Sequence, residues 1–541
     1  MDIGINASTD AVGSGSLSGN HSVSSRASLI FALSFGAALV GWHYFFVASP
    51  KNGDAKEPPV SRTLIPIFGH LLGFYRLGVS YMETLRRQTS WPAYTMKVLN
   101  MKTYVVTSPG LSHAALRSRH MSLEPLSATV AARMLGLSKS ANRHLGVDEN
   151  GKFIGSDALT ERRLEFTRML STGSATLEEP SRVASSAVAS SVNTVGTDWQ
   201  SRDLFKWLRD VITMGTVSGL YGPKNPIALD PSLAEDIWIF DENQLRLSIW
   251  GFMRNWVAPA GVRAVNSISA AFETYVQEGR HQFASEAVKS TIASVLSRGI
   301  SPNDLARLEV FNISVATVNT VPTTVCMIYN ILANPKLHAA LRDEIKDVVS
   351  EVESDNSNKK KMQIDISAAT KTLPLLVACY QEALRIGSTP TCNRAVLKDT
   401  VLEDPESGVN IFMRAGGRVS IPTFMLHSRD QIWGGDATSF DPWRFMPGGA
   451  AADTKGRVRE QGFVPYGGGV HLCPGRHLAK TEILASGVLM VMALDFRAER
   501  DGDHIEAPAY EGTTGAKKPI ARTVRIRRRE GWEDVEWSVK I

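Results

Sequence analysis

Residues 463–480 read FVPYGGGVHLCPGRHLAK, and this stretch restricts the fold of the chain more tightly than any other. Gly467, Gly468 and Gly469 permit tight turns and let the backbone come close to a flat ligand. One thiol, Cys473, follows His471 by two positions and is followed by Pro474 and Gly475. The run Arg476-His477-Leu478-Ala479-Lys480 then has helical character, so the thiol stands just before a helix start. That position and the neighbouring basic side chains favour the thiolate, a strong metal ligand. The plain alternative is an inert, buried cysteine in a glycine loop.

Charge and cysteine usage narrow the class. A net charge of +5 is only mildly basic and lacks the clustering of a nucleic-acid binder. The four cysteines, Cys326, Cys379, Cys392 and Cys473, form no C-x-x-C pair and no disulfide framework. A structural zinc site is therefore not expected, and the globular part reads as belonging to a reducing compartment.

The N-terminal third sets the expected domain organisation. Residues 1–26 are rich in Ser, Gly and Asn and read as a disordered tail, with sequons at Asn6 and Asn20 that glycosylation could use. Residues 27–48 hold no Lys, Arg, Asp or Glu and are long enough to span a bilayer as a helix. Trp42, Tyr44, Phe45 and Phe46 would sit at its interface. A cleaved signal peptide is the alternative, although no compact cleavage site stands out. Lys51, Lys56 and Arg62 follow the span and only Arg26 precedes it, which places the bulk of the chain on the cytosolic side. Residues 49–66, with Pro58, Pro59 and Pro66, read as a stiff hinge before a domain covering 67–541.

Along that domain, residues 103–107 read as a strand and 111–300 as mostly helical. The aromatic stretch 238–256 suits either core packing or a membrane-facing lid. Residues 305–334 form the longest helical pattern, interrupted by Pro322, which cannot give an N–H to the carbonyl of Val318. An opening is expected at Val318, Asn319 and Thr320. A charged helix is expected over 337–352, then a solvated loop around Lys359, Lys360 and Lys361. Residues 374–386 read as a helix with Glu382 and Arg385 on one face.

The spacing Tyr466, Gly469, His471, Cys473, Gly475 resembles the haem-binding loop of the cytochrome P450 family. Glu382 with Arg385 resembles its Glu-x-x-Arg element, and Arg444 in the run Phe440-Asp441-Pro442-Trp443-Arg444-Phe445 resembles the arginine that locks it. The resemblance covers roughly residues 58–541. It implies a mainly helical fold with small β-sheets, as one catalytic domain behind an N-terminal transmembrane helix. It makes Cys473 the axial ligand of a haem b iron, where a thiolate favours oxygen–oxygen cleavage. Tyr466, Gly469 and Gly475 would belong to the cofactor loop, His471 and Arg394 would meet haem propionates, and Ser388, Pro390 and Thr391 would line the pocket. No Trp-x-x-x-Arg is assigned to the propionate contact that the family often makes from this side; Arg162 and Arg163 with Phe166 are the nearest patch.

At the distal helix, the usual acid and threonine are replaced by Val318 and Asn319. The string Val318-Asn319-Thr320-Val321-Pro322 is similar to the branch holding sterol 7-alpha-hydroxylases and prostacyclin synthase. Asn319 and Thr320 become the candidate catalytic residues there, since an amide donates hydrogen bonds or holds a water. The resemblance implies a monooxygenase at the endoplasmic reticulum membrane, hydroxylating or epoxidising a terpenoid, sterol or polyketide-derived intermediate, as fungal members of secondary metabolism do. NADPH-cytochrome P450 reductase would dock near Arg476 and Lys480. A haem-thiolate isomerase or dehydratase working without reductase, and a non-enzymatic haem sensor or carrier, are the alternatives.

Overall fold

Helix boundaries in this chain are set by caps that the local sequence supplies. Ser301 accepts the N–H of Asp304 and Pro302 occupies the first turn, so the helix Pro302–Thr317 starts there. Asn334 does the same for Pro335–Ile345, accepting from Leu337. The computed structural model describes residues 34, 36, 51–52, 55–63, 69–78, 80–98, 101–353, 360–388, 390–446, 460–500, 502–511, 515–520 and 522–541. Most of the apolar span expected over 27–48, the sequons and Pro66 therefore lie outside the described residues.

The fold is mainly helical with small sheets, as expected. Ala175–Asn193, Leu204–Tyr221, Pro302–Thr317, Thr320–Leu332, Pro374–Gly387 and Arg476–Ala493 share one apolar core. Gly487 lets the cysteine-loop helix close onto the distal one: a Cβ there would lie 2.7 Å from the methyl of Met327. A five-stranded sheet runs Ala93–Val98, Met101–Val106, Arg418–Pro422, Thr391–Val396, Met121–Ser122. Val419 pairs in parallel with Tyr104 and antiparallel with Arg394, which puts Arg394 inside the sheet.

Several expectations change. Within the stiff hinge expected over 49–66, residues 55–61 pair with the body. Ile411 pairs with Lys56, Val60 bridges Thr95, and buried Glu57 takes Lys102 at 2.7 Å and the Tyr104 hydroxyl at 2.6 Å. The helix expected over 337–352 ends at Ile345, and Val349–Val352 is a strand. Lys360 and Lys361 open the strand Lys360–Asp365, which pairs with the C-terminal strand Val535–Lys540. The aromatic stretch divides. Trp238 and Phe240 are core, whereas Trp256 is 82% exposed and Trp250 41%. Among the described residues, 302–332 is the segment apolar and long enough to cross a membrane, and it lies mostly buried inside the protein.

Candidate active site

The cysteine loop is folded by its own backbone. The N–H of Cys473 donates to the Tyr466 carbonyl at 3.1 Å and that of Gly467 to Val464 at 3.1 Å. Gly469 is required: its φ is +63°, and a Cβ would run into the carbonyl of Leu116. Around Gly475, by contrast, a Cβ would meet no atom within 4 Å, so open space adjoins the thiol. Tyr466 and Tyr380 share a hydroxyl–hydroxyl bond of 2.9 Å beneath the loop.

At the thiol, the helix start and the basic neighbour favour the thiolate, while burial opposes it. Burial pushes the Cys473 thiol up. The N–H of Gly475, the charge of Arg476 and the N–H of Arg476 pull the other way without overcoming it. These donors cap the sulfur as they would cap a thiolate, and a bound metal cation would supply the rest of the thiolate's stabilisation. The cysteine-loop helix Arg476–Ala493 carries Lys480 half-buried, and burial pushes its ammonium down. Arg476 bends back, donating to the Cys473 carbonyl at 2.9 Å.

Two residues expected to hold carboxylates come together on this loop. Arg394 is 2% exposed and donates to the carbonyls of Asn393 at 2.8 Å and Gly468 at 3.1 Å. Its Nε is buried with no partner among the described residues. Burial pushes the guanidinium down from its ordinary value. An uncompensated buried guanidinium nitrogen calls for an anionic acceptor. His471 accepts the Leu123 N–H at Nε2, 3.2 Å away, with Ser122 at 3.3 Å. Burial, then Arg394 and Arg163, push the ring down to about 4, so it is neutral near pH 7 with its proton on Nδ1. The patch Arg162-Arg163 also separates. Arg163 reaches the Val470 carbonyl at 2.5 Å and Glu124 at 3.4 Å, beside the loop, while Arg162 turns to Glu309 at 3.7 Å.

Glu382, Arg385 and Arg444 meet as one buried ion network. Arg385 forms a two-pronged pair with Glu382 at 2.7 and 2.6 Å. It also donates to the carbonyls of His427 and Ala437 at 2.6 and 2.5 Å. Arg444 comes within 3.5 Å of Glu382 and donates to the Asp436 carbonyl at 3.0 Å. His427 links this network to the loop: its Nδ1 donates to the Arg385 carbonyl at 3.1 Å and its Nε2 accepts the Val464 N–H at 3.1 Å. Burial and the charge of Arg385 push this histidine down to about 3. Its function as the link, and that of Arg163, left no signal in the spacing of the sequence.

On the opposite side, the distal helix opens where Pro322 predicts. Pro302–Thr317 ends, Thr320–Leu332 begins, and Asn319 stands between them at φ −101°, ψ −33°. The Thr320 hydroxyl has only a long bond, 3.4 Å, to the Ala316 carbonyl. Asn319 Oδ1 accepts the N–H of Ala516 at 2.9 Å. Thr324 and Thr323 spend their hydroxyls on the carbonyls of Thr320 and Asn319.

The residues fit a haem. Gly475 leaves a cradle beside a capped sulfur, and Arg394 aims a buried, unpartnered donor from the sheet. Comparison with known proteins agrees. The family model described as cytochrome P450 matches residues 242–515. A cytochrome P450 monooxygenase of Gibberella zeae is 26% identical over 500 residues, covering 90% of this chain and 91% of that protein. The monooxygenase nodJ of Hypoxylon pulicicidum is 25% identical, covering 90% and 93%. A pig (Sus scrofa) protein named 5-beta-cholestane-3-alpha,7-alpha-diol 12-alpha-hydroxylase is 24% identical over 55% of this chain and 60% of its own.

Proposed function

Because the chain belongs to the cytochrome P450 family and is a monooxygenase, we propose that it inserts one atom of O2 into a C–H or C=C bond of an apolar, membrane-partitioning molecule. A terpenoid, sterol or polyketide-derived intermediate is the substrate class. Support for a polycyclic substrate comes from the similarity to a protein named for 12-alpha-hydroxylation of a cholestane. A place in fungal secondary metabolism completes the reading. The observation that carries the reading is the capped Cys473 sulfur beside the open space at Gly475, with the buried Arg394 nitrogen waiting for an acceptor.

The cofactor is haem b, which supplies the oxygen activation when bound, with thiolate donation promoting oxygen–oxygen cleavage. The chain does the rest. Cys473 would ligate the iron, and Gly475 and Arg476 would steady the sulfur charge through their N–H groups. Arg394 and neutral His471 hold the two carboxylates, Arg394 by charge and His471 by its Nδ1–H. Glu382, Arg385 and Arg444 fix the loop from below. At the distal opening the Val318 carbonyl receives no N–H from Pro322, and the weakly held Thr320 hydroxyl is free to turn. These two groups and the Asn319 amide hydrogens form a polar notch able to hold a water and pass a proton. Electrons come from NADPH through a separate reductase, which docks near Arg476. The anchor at 27–48 holds the protein on the endoplasmic reticulum membrane with the catalytic body in the cytosol.

The reduced, carbon-monoxide-bound absorption spectrum tests this. A strongly red-shifted Soret band that disappears in Cys473→Ala is expected. A histidine-like band in fully loaded wild type would overturn the ligand assignment. With reductase and an apolar substrate, NADPH consumption should depend on that substrate. Product formed without NADPH would instead favour the isomerase reading, for which the missing acid at Val318 speaks.

A further inference from the structure

The C-terminal hairpin, Tyr510–Glu511 paired with Lys518–Pro519, is tied to the distal helix at two points on one face. Near its turn, the Ala516 N–H donates to Asn319 Oδ1 at 2.9 Å. At its base, Asn330 Nδ2 donates to the Tyr510 hydroxyl at 3.1 Å. Asn319 and Asn330 stand three helical turns apart, roughly 16 Å along the axis, so they share a face. The hairpin also reaches two other elements. Lys518 pairs with Asp241 at 2.7 Å, and the Lys517 N–H donates to the Gly387 carbonyl at 2.7 Å, while Ala516 bridges Ser388. Gly515 fits the turn: its φ is +76°, and a Cβ there would lie 2.7 Å from Asn319 Oδ1.

This bond settles the orientation of the Asn319 amide. A backbone N–H can only be met by the oxygen, so the nitrogen points the other way. Among the described residues that nitrogen donates to none. The oxygen is consumed by the hairpin, and the group left over is a pure donor.

We propose that Asn319 is a positioning residue: it holds the turn of the C-terminal hairpin against the opening in the distal helix and so fixes the wall a substrate meets there. The consequence for substrate choice rests on the monooxygenase reading above; the tie itself does not. Its removal takes away the tie between Ala516 and the distal helix and leaves the Ser388 bridge and the Lys517 bond to Gly387 in place.

Amide hydrogen exchange of the haem-loaded full chain tests it, with no substrate and no turnover required. In Asn319→Ala the Ala516 amide should exchange about fivefold faster or more, the loss expected for one hydrogen bond. Asn319→Asp keeps an acceptor oxygen and should restore wild-type protection, a rescue that a merely space-filling role would not give. Gly515→Ala opens the same bond from the hairpin side and should raise exchange equally if Asn319→Ala loads haem poorly. Exchange within twofold of wild type in either disrupting variant overturns the proposal. So does Asn319→Asp exchanging as fast as Asn319→Ala. Failure of NADPH consumption would overturn the functional reading and leave these rates unchanged.

Discussion

Glu482 shows how far burial decides chemistry at single side chains. It is 2% exposed on the cysteine-loop helix, accepts from Thr216 at 2.9 Å, and leaves Oε2 without a partner. Burial lifts its carboxyl from 4.5 to about 8. The unfolded chain therefore ionises first as pH rises. The stability this group allows is fully present below about 4.5 and is lost as pH climbs through about 8, up to about 5 kcal/mol in all. Glu482→Gln should flatten the fall of the unfolding midpoint between pH 6 and 9; a slope equal to that of wild type would rule out a neutral buried carboxyl. The ion network gives a second expectation. Glu382→Ala strands Arg385 and Arg444 in the interior, at about 3–5 kcal/mol, and purified protein should be haem-poor. Full haem loading with an unchanged midpoint would contradict this. Cys473, Glu382, Arg385 and Arg444 were legible as residue types at set spacings. The link through His427 and the contact of Arg163, named only within a basic patch, were not, because each acts through backbone carbonyls or amides that only the folded chain brings near.

Among elements, the interrupted distal helix was legible because a single proline has one mechanical meaning within a helical pattern. Pro322→Ala supplies the missing N–H to Val318 and should close the opening. We expect haem content to stay and product formed per NADPH consumed to fall several-fold; an unchanged ratio would mean that the opening is idle. Strands were harder. Lys360–Asp365 begins with two lysines and is strand only because Val535–Lys540, far along the chain, lies parallel to it. Such pairing leaves little trace in local sequence, since strand preference depends on what covers the faces. The same holds for Val349–Val352, which continues a helical pattern in sequence but joins that sheet in space.

At the scale of the whole molecule, the C-terminus is a fastening. Arg528 is buried and donates to the carbonyls of Val195, Asn193 and Val535 at 3.0, 2.9 and 2.7 Å. Removal of residues 535–541 strips one of these acceptors and exposes the edge of Lys360–Asp365. Haem release on heating should then begin at lower temperature, and an unaltered melting curve would show the strand to be dispensable. The other end carries a different consequence. Because Lys51–Asn52 pairs back onto Ala55–Lys56, which itself pairs with Ile411, only residues 49–50 remain between the body and the proposed anchor, a leash of at most about 7 Å. A catalytic body on so short a leash cannot wander into the surrounding volume. Encounters with lipid-dissolved molecules then become a search across a plane, and the relevant concentration is molecules per unit area of bilayer.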